Sequence, residues 1–289
     1  MLSDGLDNLQ LVDEGGLRTL KARPAFGKYL RELWKMRHFI VLDARARSFA
    51  DGRGTFLGVF WVILNPAIQV ALYALVFGVF LKTSRGLDNF IGFLVIGVVY
   101  FGFITAGLNA GALLVQRNRG LISSFNFPKA AVAISATLRG AFDGSVSAVL
   151  AVVFALLFQI DRIPSWTIAL VIPIYVLMQI FIAGTIFVVA RATAFVPDLR
   201  SLISVVTRIL FFTSGVFWPV ERFVHHPTLL AILNWNPVHQ FLAMIRLSVL
   251  DGEVPSLTQW LYLTVWSFGL LAFGLWFFWR AEHKYASIK

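Results

Sequence analysis

The 289-residue sequence is 58% hydrophobic and 14% charged, with a mean hydropathy of +0.77, values that exclude a water-soluble domain. Its apolar stretches are long and unbroken rather than alternating, which excludes a β-barrel and predicts an all-α membrane protein whose helices satisfy their own backbone hydrogen bonds. The absence of cysteine excludes disulfides, thiolate metal sites and palmitoylation.

Residues 1–27 read as a cytoplasmic tail, acidic up to Glu14 and basic after Arg18, with no apolar core of signal-peptide type. Residues 28–55 follow as an amphipathic helix and a turn. Tyr29, Leu33, Met36 and Ile40 recur at helical spacing over residues 28–44, with Lys28, Arg31, Lys35 and His38 roughly opposite. This pattern predicts a helix lying in the inner interface, its apolar face in the acyl boundary and Trp34 at headgroup depth. Asp51, Gly52, Arg53 and Gly54 supply the turn upward.

A six-span domain is expected over residues 56–280. Its spans are 57–81, 90–115, 140–160, 167–190, 201–218 and 257–279, each near the ~20 residues that cross ~30 Å of hydrocarbon. Asn65 and Pro66 fall inside the first, where proline favours a kink. The cytoplasmic loop 116–139 carries a short apolar patch, Leu121, Ile122 and Phe125, ended by Pro128 and flanked by Arg117, Arg119 and Lys129. Such a patch needs either a partner or the chain's own span ends to cover it. Asp143 and Arg208 are the charges placed well within spans. Arg139, four residues before Asp143, predicts a local ion pair, while Arg208 either snorkels inward or faces a polar path. Tyr73, Phe77 and Phe80 share one face of the first span, and Tyr100, Phe101 and Phe103 crowd the second. These aromatics are either lipid-facing filler or conduit lining. In the external segment 219–256, residues 229–233 and 241–250 are apolar but too short to span. Separated by Asn234, Asn236 and Pro237, they read as re-entrant or interfacial helices. Residues 281–289 form a second cytoplasmic tail.

Charge sets the orientation. All but five of the 25 Lys and Arg, namely Lys82, Arg85, Arg162, Arg222 and Arg246, fall on the side shared by the two ends of the chain, which places both termini in the cytoplasm. This asymmetry, with attraction to anionic membrane lipids, accounts for the net charge of +10 and gives no support for nucleic acid. No GxxxxGK[ST] loop occurs, and the five His residues lack ligand spacing with carboxylates. A transporter built on this chain needs a partner that hydrolyses nucleotide. As an enzyme, it would offer only the outer residues Glu221, His225, His226, Asp251 and Glu253.

Four segments in order resemble the membrane subunit of type-2 ABC exporters, specifically the polysaccharide, O-antigen and teichoic acid export permeases. They are LDARARSFADGRGTFLGVFWVILNPAIQVALYALVFGVFL at 42–81, NRGLISSFNFPKA at 118–130, FVPDLRSLISVVTRILFFTSGVFWP at 195–219 and NWNPVHQFLAMIRLSVLDG at 234–252. The resemblance implies a homodimer in the cytoplasmic (inner) membrane of a bacterium and a polyprenyl-linked polysaccharide as cargo. Two ATP-binding cassette ATPase subunits would hold ATP and Mg, and this chain would bind no cofactor. It places a coupling contact on 118–127, with Asn118, Leu121, Ile122, Phe125 and Phe127, and an interface helix on 28–44. Tyr73, Phe77, Phe80, Tyr100 and Arg208 become candidates for a conduit lining. The DARAR form of the interface helix is similar to actinobacterial members, for which a cell-wall galactan is one cargo. Where the family often has a proline at the outer end of the fifth span, this chain reads Ser214, Gly215, Val216. A type-2 exporter of drugs or simple lipids is the alternative within the same fold.

Overall fold

The computed structural model describes residues 25–48, 61–73, 75–76, 89–125, 127–159, 164–220 and 226–287. Among them every regular element is helical. In chain order these are α1 (Phe26–Lys35), α2 (Arg37–Arg47), α3 (Trp61–Tyr73), α4 (Phe90–Arg117), α5 (Arg119–Ser124) and α6 (Ala130–Leu157). A 3-10 turn (Trp166–Leu170) leads into α7 (Val171–Phe195), followed by α8 (Leu199–Thr213), α9 (Pro227–Asn234) and α10 (Pro237–Arg246). A π-helical turn (Leu247–Asp251) extends α10, and α11 (Leu257–Trp279) and a 3-10 turn (Glu282–Ser287) close the chain.

Four of these segments are long and apolar enough to cross a membrane: α4, α6, Trp166–Phe195 and α11. The expected first span is described mainly as α3, which runs through Pro66, and the expected fifth ends as a helix at Thr213. At 1.5 Å per residue α8 is about 22 Å long, short of the hydrocarbon thickness. Residues 49–60, with the turn 51–54, and 77–88, on either side of α3, lie outside the described residues.

Local chemistry fixes the helix starts. Asn89 caps α4, accepting from the Gly92 N–H at 2.7 Å, while its amide donates to Ala155 O at 2.8 Å and so ties the start of α4 to the end of α6. Ser256 and Gln259 form a reciprocal capping box on α11. α9 and α10 each begin on a proline, Pro227 and Pro237, whose missing N–H costs nothing in a first turn. The expected helix 28–44 is instead two helices, because Met36 leaves helical geometry at φ −85°, ψ 4°.

Residues 90–101 of α4 are buried almost without exception, and α4 packs against α3, α6, α7, α8 and α10. Its seam with α7 is built on Gly107 and Gly111: a Cβ on Gly107 would meet Ile182 at 2.5 Å, and one on Gly111 would meet the Ile186 backbone at 3.1 Å. α7 and α11 approach still more closely. A Cβ on Gly184 would lie 2.6 Å from the Leu270 carbonyl carbon, and one on Gly274 would lie 2.5 Å from Gly184 O. α2 runs beside the first half of α6, held by Ser135 Oγ donating to Asp43 at 2.5 Å and Ser48 Oγ donating to Asp143 at 2.6 Å. The expected ion pair between Arg139 and Asp143 is present at 3.4 Å.

Backbone atoms cannot step aside as a flexible side chain can, so Gly274→Ala should cost about 1–3 kcal/mol through overpacking. Gly102→Ala, with nothing within 4 Å of its Cβ, should be neutral. Melting of the two variants in detergent checks this contrast, and equal stability would remove the α7–α11 seam as a determinant of the fold.

Candidate functional site

The loop expected to face a partner is anchored from behind. Asn118 makes the break between α4 and α5, its amide donating back to Leu114 O at 2.8 Å. α5 then turns Ile122 inward, where it is 1% exposed, leaves Leu121 partly buried and presents Phe125, 62% exposed. Ile122 is therefore a packing residue rather than a docking one, because the chain's own C-terminal turn covers α5 on that side. Phe127 is half-buried beneath the Lys129 ammonium, 4.5 Å from the ring centre, and that ammonium also donates to Phe125 O at 2.6 Å.

Behind this loop is a buried polar knot. Glu282, at the start of the last turn, accepts from the Lys129 backbone N–H at 2.7 Å and from the Tyr29 hydroxyl at 2.9 Å; that hydroxyl in turn accepts from the Ala130 N–H at 3.0 Å. The first amides of α6, which no local side chain caps, are thus satisfied from two distant parts of the chain. Tyr285 stacks on Phe278 at 4.5 Å and donates to Phe278 O, and Phe26 meets the edge of Trp279 at 5.0 Å. Together these contacts fasten α1, the α5–α6 loop and the C-terminal turn to one another.

This knot overturns the expected orientation of the interface helix. Tyr29, Leu33 and Ile40 are buried against the chain itself, and Met36 packs on the same core. The tyrosine hydroxyl requires a partner, and Glu282 supplies it. Trp34, 70% exposed, lies outward with Leu30, Phe39 and Leu42. That second apolar set is the one available to lipid, with Arg37 donating to Trp34 O.

The conduit candidates divide. Tyr100 has no exposed surface and spends its hydroxyl on Ala148 O at 3.3 Å, so burial within the subunit removes it from any lining. Tyr73 is half-buried, its ring 5.5 Å from that of Phe211 on α8. Arg208 is exposed on α8, a helix with no buried residue. Phe77 and Phe80 lie outside the described residues, as do Glu221 and His225. His226, Asp251 and Glu253 are exposed, and the described residues hold no group of three His, Asp or Glu able to take a metal.

One buried charge escaped sequence reading. Arg246, counted there as an outer-side charge, is buried at the end of α10. It donates to Gly215 O and Val216 O at 2.8 Å each and to Phe93 O at 3.2 Å, with its guanidinium 3.4 Å from the Phe93 ring centre. Gly97 makes room, since a Cβ there would collide with Val216 O and the guanidinium. Gly215, at φ 63°, makes the reversal after α8. Asn236 donates to Ser214 Oγ at 2.9 Å, and the His239 ring contacts Ser214 O. The segment 236–246 is thus bound to the start of α4 and the turn after α8 through three carbonyls and one hydroxyl. The signal available in the sequence was a lone arginine inside an apolar ten-residue run.

A family model described as ABC-2 type transporter matches residues 46–250. The chain belongs to that family. The ABC-2 chain is also 23% identical, over 229 residues, to the O-antigen export system permease protein RfbA of Myxococcus xanthus, a match spanning 79% of this chain and 86% of that one. The family match includes the α5–α6 loop and the Arg246 clamp. Tyr29 and Glu282 lie outside its limits, so the knot flanks the matched region at both ends.

Burial pushes the Glu282 carboxyl up to about 7, against the opposing pull of the Lys129 N–H, the Tyr29 hydroxyl and the Lys129 charge. Burial also raises Tyr29 and lowers Lys129. With a folded value above the ordinary 4.5, the contribution of Glu282 to stability is full below pH 4.5 and is lost as pH rises through about 7. Glu282→Gln should therefore flatten the decline in melting temperature of the ABC-2 chain between pH 5 and 8. Parallel profiles for wild type and variant would contradict this. Separately, Arg246→Met removes three buried hydrogen bonds to carbonyls and should cost about 3 kcal/mol or more, read as loss of monodisperse protein on size exclusion.

Proposed function

We propose that this chain is the transmembrane subunit of an ABC exporter that carries a lipid-linked polysaccharide outward across the cytoplasmic membrane of a bacterium. Two copies form the conduit, and two ATPase subunits beneath supply the energy from ATP and Mg. The observation that carries this reading is the likeness to an O-antigen export permease along most of both chains. It is supported by Phe125, a large apolar side chain presented on the cytoplasmic side by a loop that Glu282 and Lys129 hold in place. Exposing such a ring to water is unfavourable unless a partner covers it.

In this mechanism the ATPase grips Phe125, and the knot passes its movement to α1 and α6 together. α3 and α8 form the conduit side. α8 leaves Leu202, Val205, Ile209 and Phe212 uncovered beside Arg208, and a second copy would cover them. Tyr73, together with Phe77 and Phe80, offers sugar C–H faces a stacking surface that tolerates sliding, which a polymer in transit requires. Ile122, being buried, takes no part in docking.

The test is complementation of a strain lacking this chain. Wild type should restore surface polysaccharide, and the strain without it should retain lipid-linked glycan inside. Phe125→Glu should lower export about tenfold or more while leaving the melting temperature of the purified chain unchanged. Normal export by that variant would overturn the docking role, and unaltered surface polysaccharide in the deletion strain would overturn the cargo class.

A further inference from the structure

A cavity of about 500 Å³ lies between α2, α4, α6 and α7, apart from both the α5–α6 loop and the outer clamp. It extends along α4 from Asn118 to Phe103, about 22 Å at 1.5 Å per residue. At 28 residues each, α4 and α6 are about 42 Å long, some 12 Å more than the hydrocarbon. Arg117 ends α4 and Lys129 precedes α6, both on the cytoplasmic side, so the charged end of the cavity lies at the depth of the inner-leaflet headgroups.

Three guanidinium groups, Arg47, Arg117 and Arg139, and two carboxylates, Asp43 and Asp143, line it. Both carboxylates are engaged in holding helices together. Asp43 accepts from Arg47 Nε at 2.8 Å and from Ser135, and Asp143 accepts from Ser48 and pairs with Arg139. Arg117 has no hydrogen bond or ion pair with a described residue. Among the described lining residues three cations thus face two carboxylates, which leaves the wall net positive. A neutral sugar could use the amides of Asn109 and Gln179 but would gain nothing from the net positive charge. A phosphate matches what remains, since guanidinium edges bind its oxygens with charge-assisted hydrogen bonds. Small side chains keep the space open. At Gly140, which lines the cavity, an added Cβ would meet nothing within 4 Å.

We infer that this cavity binds the phosphate group of an inner-leaflet lipid, with Arg117 and Arg47 as its principal donors. Bound there, the phosphate joins α2 to α4 and braces the segment through which the chain enters the membrane. The inference goes beyond the proposed export function and does not depend on which cargo is carried.

The experiment uses the purified full-length chain in a neutral detergent, titrated separately with phosphatidylglycerol, phosphatidylcholine, polyprenyl phosphate and inorganic phosphate. Bound lipid is counted by native mass spectrometry and affinity is read from the shift in melting temperature. Wild type should bind the anionic lipids phosphatidylglycerol and polyprenyl phosphate and be stabilised by them more than by phosphatidylcholine, whose choline cation opposes the net positive wall. Arg117→Gln should weaken that binding about tenfold, the loss expected for one charge-assisted hydrogen bond. Gly140→Leu, whose Cβ would meet nothing within 4 Å, adds bulk at the cavity wall and should weaken binding about tenfold or more while keeping the unliganded melting temperature. Undiminished binding in the Gly140 variant would overturn the location. An equal response to inorganic phosphate at the same concentration would overturn the lipid source in favour of a soluble anion site, and no response to any phosphate would overturn the inference. None of these readouts involves transport, so they stand or fall separately from the complementation assay.

Discussion

Close backbone contact between α7 and its two neighbours governs this molecule. In lipid there is no hydrophobic gain from bringing one apolar helix against another, so association rests on van der Waals packing and interhelical hydrogen bonds. Gly107 and Gly111 on α4 and the Gly184–Gly274 contact between α7 and α11 let three long helices meet at distances that any side chain would prevent. The amphipathic elements are laid against that rigid trio. α2 is pinned to α6 by serine–aspartate hydrogen bonds, α10 to α4 and α8 by one arginine, and α1 to the C-terminal turn by Glu282. The polar bonds thus position the peripheral elements, while the glycine seams hold the centre.

The two ends of the bundle use opposite electrostatic solutions. At one end the buried Arg246 guanidinium donates to carbonyl oxygens and lies over an aromatic face. At the other the buried Glu282 carboxyl accepts from one backbone amide and a phenol, beside a lysine. Each clamp joins segments far apart in the chain, so both depend on the bundle having formed first.

Much of the helical frame could be read from the sequence, because apolar length and charge placement are properties of single segments. The Arg139–Asp143 pair was legible for the same reason, being one turn of one helix. Faces were not. Periodicity showed that Tyr29, Leu33 and Ile40 share a side of a helix, but burial in protein and burial in lipid leave the same pattern. The deciding partner, Glu282, is 253 residues away. Ile122 and Phe125 likewise looked equivalent in one patch, and only the packing of the C-terminal turn separates the buried one from the exposed one. Tyr100 was a plausible conduit residue until its hydroxyl was found on the α6 backbone. Arg246 was counted by its side of the membrane, and nothing local signals that three carbonyls converge on it. The family match supports the frame and the class, while the cavity between α2, α4, α6 and α7 emerges only when four helices are brought together.

The reach of Glu282 also bears on how the protein is made. It is synthesised 153 residues after Lys129 and 253 after Tyr29. At ordinary elongation rates the α6 N-terminus waits about 8 to 30 s for its acceptor. During that interval the Lys129 amide has no acceptor from Glu282, and the α5–α6 loop lacks its anchor. A nascent or truncated chain can therefore insert its long helices and still lack the anchor of its α5–α6 loop. Order at that end of the bundle then becomes a property that only a chain synthesised through Glu282 acquires.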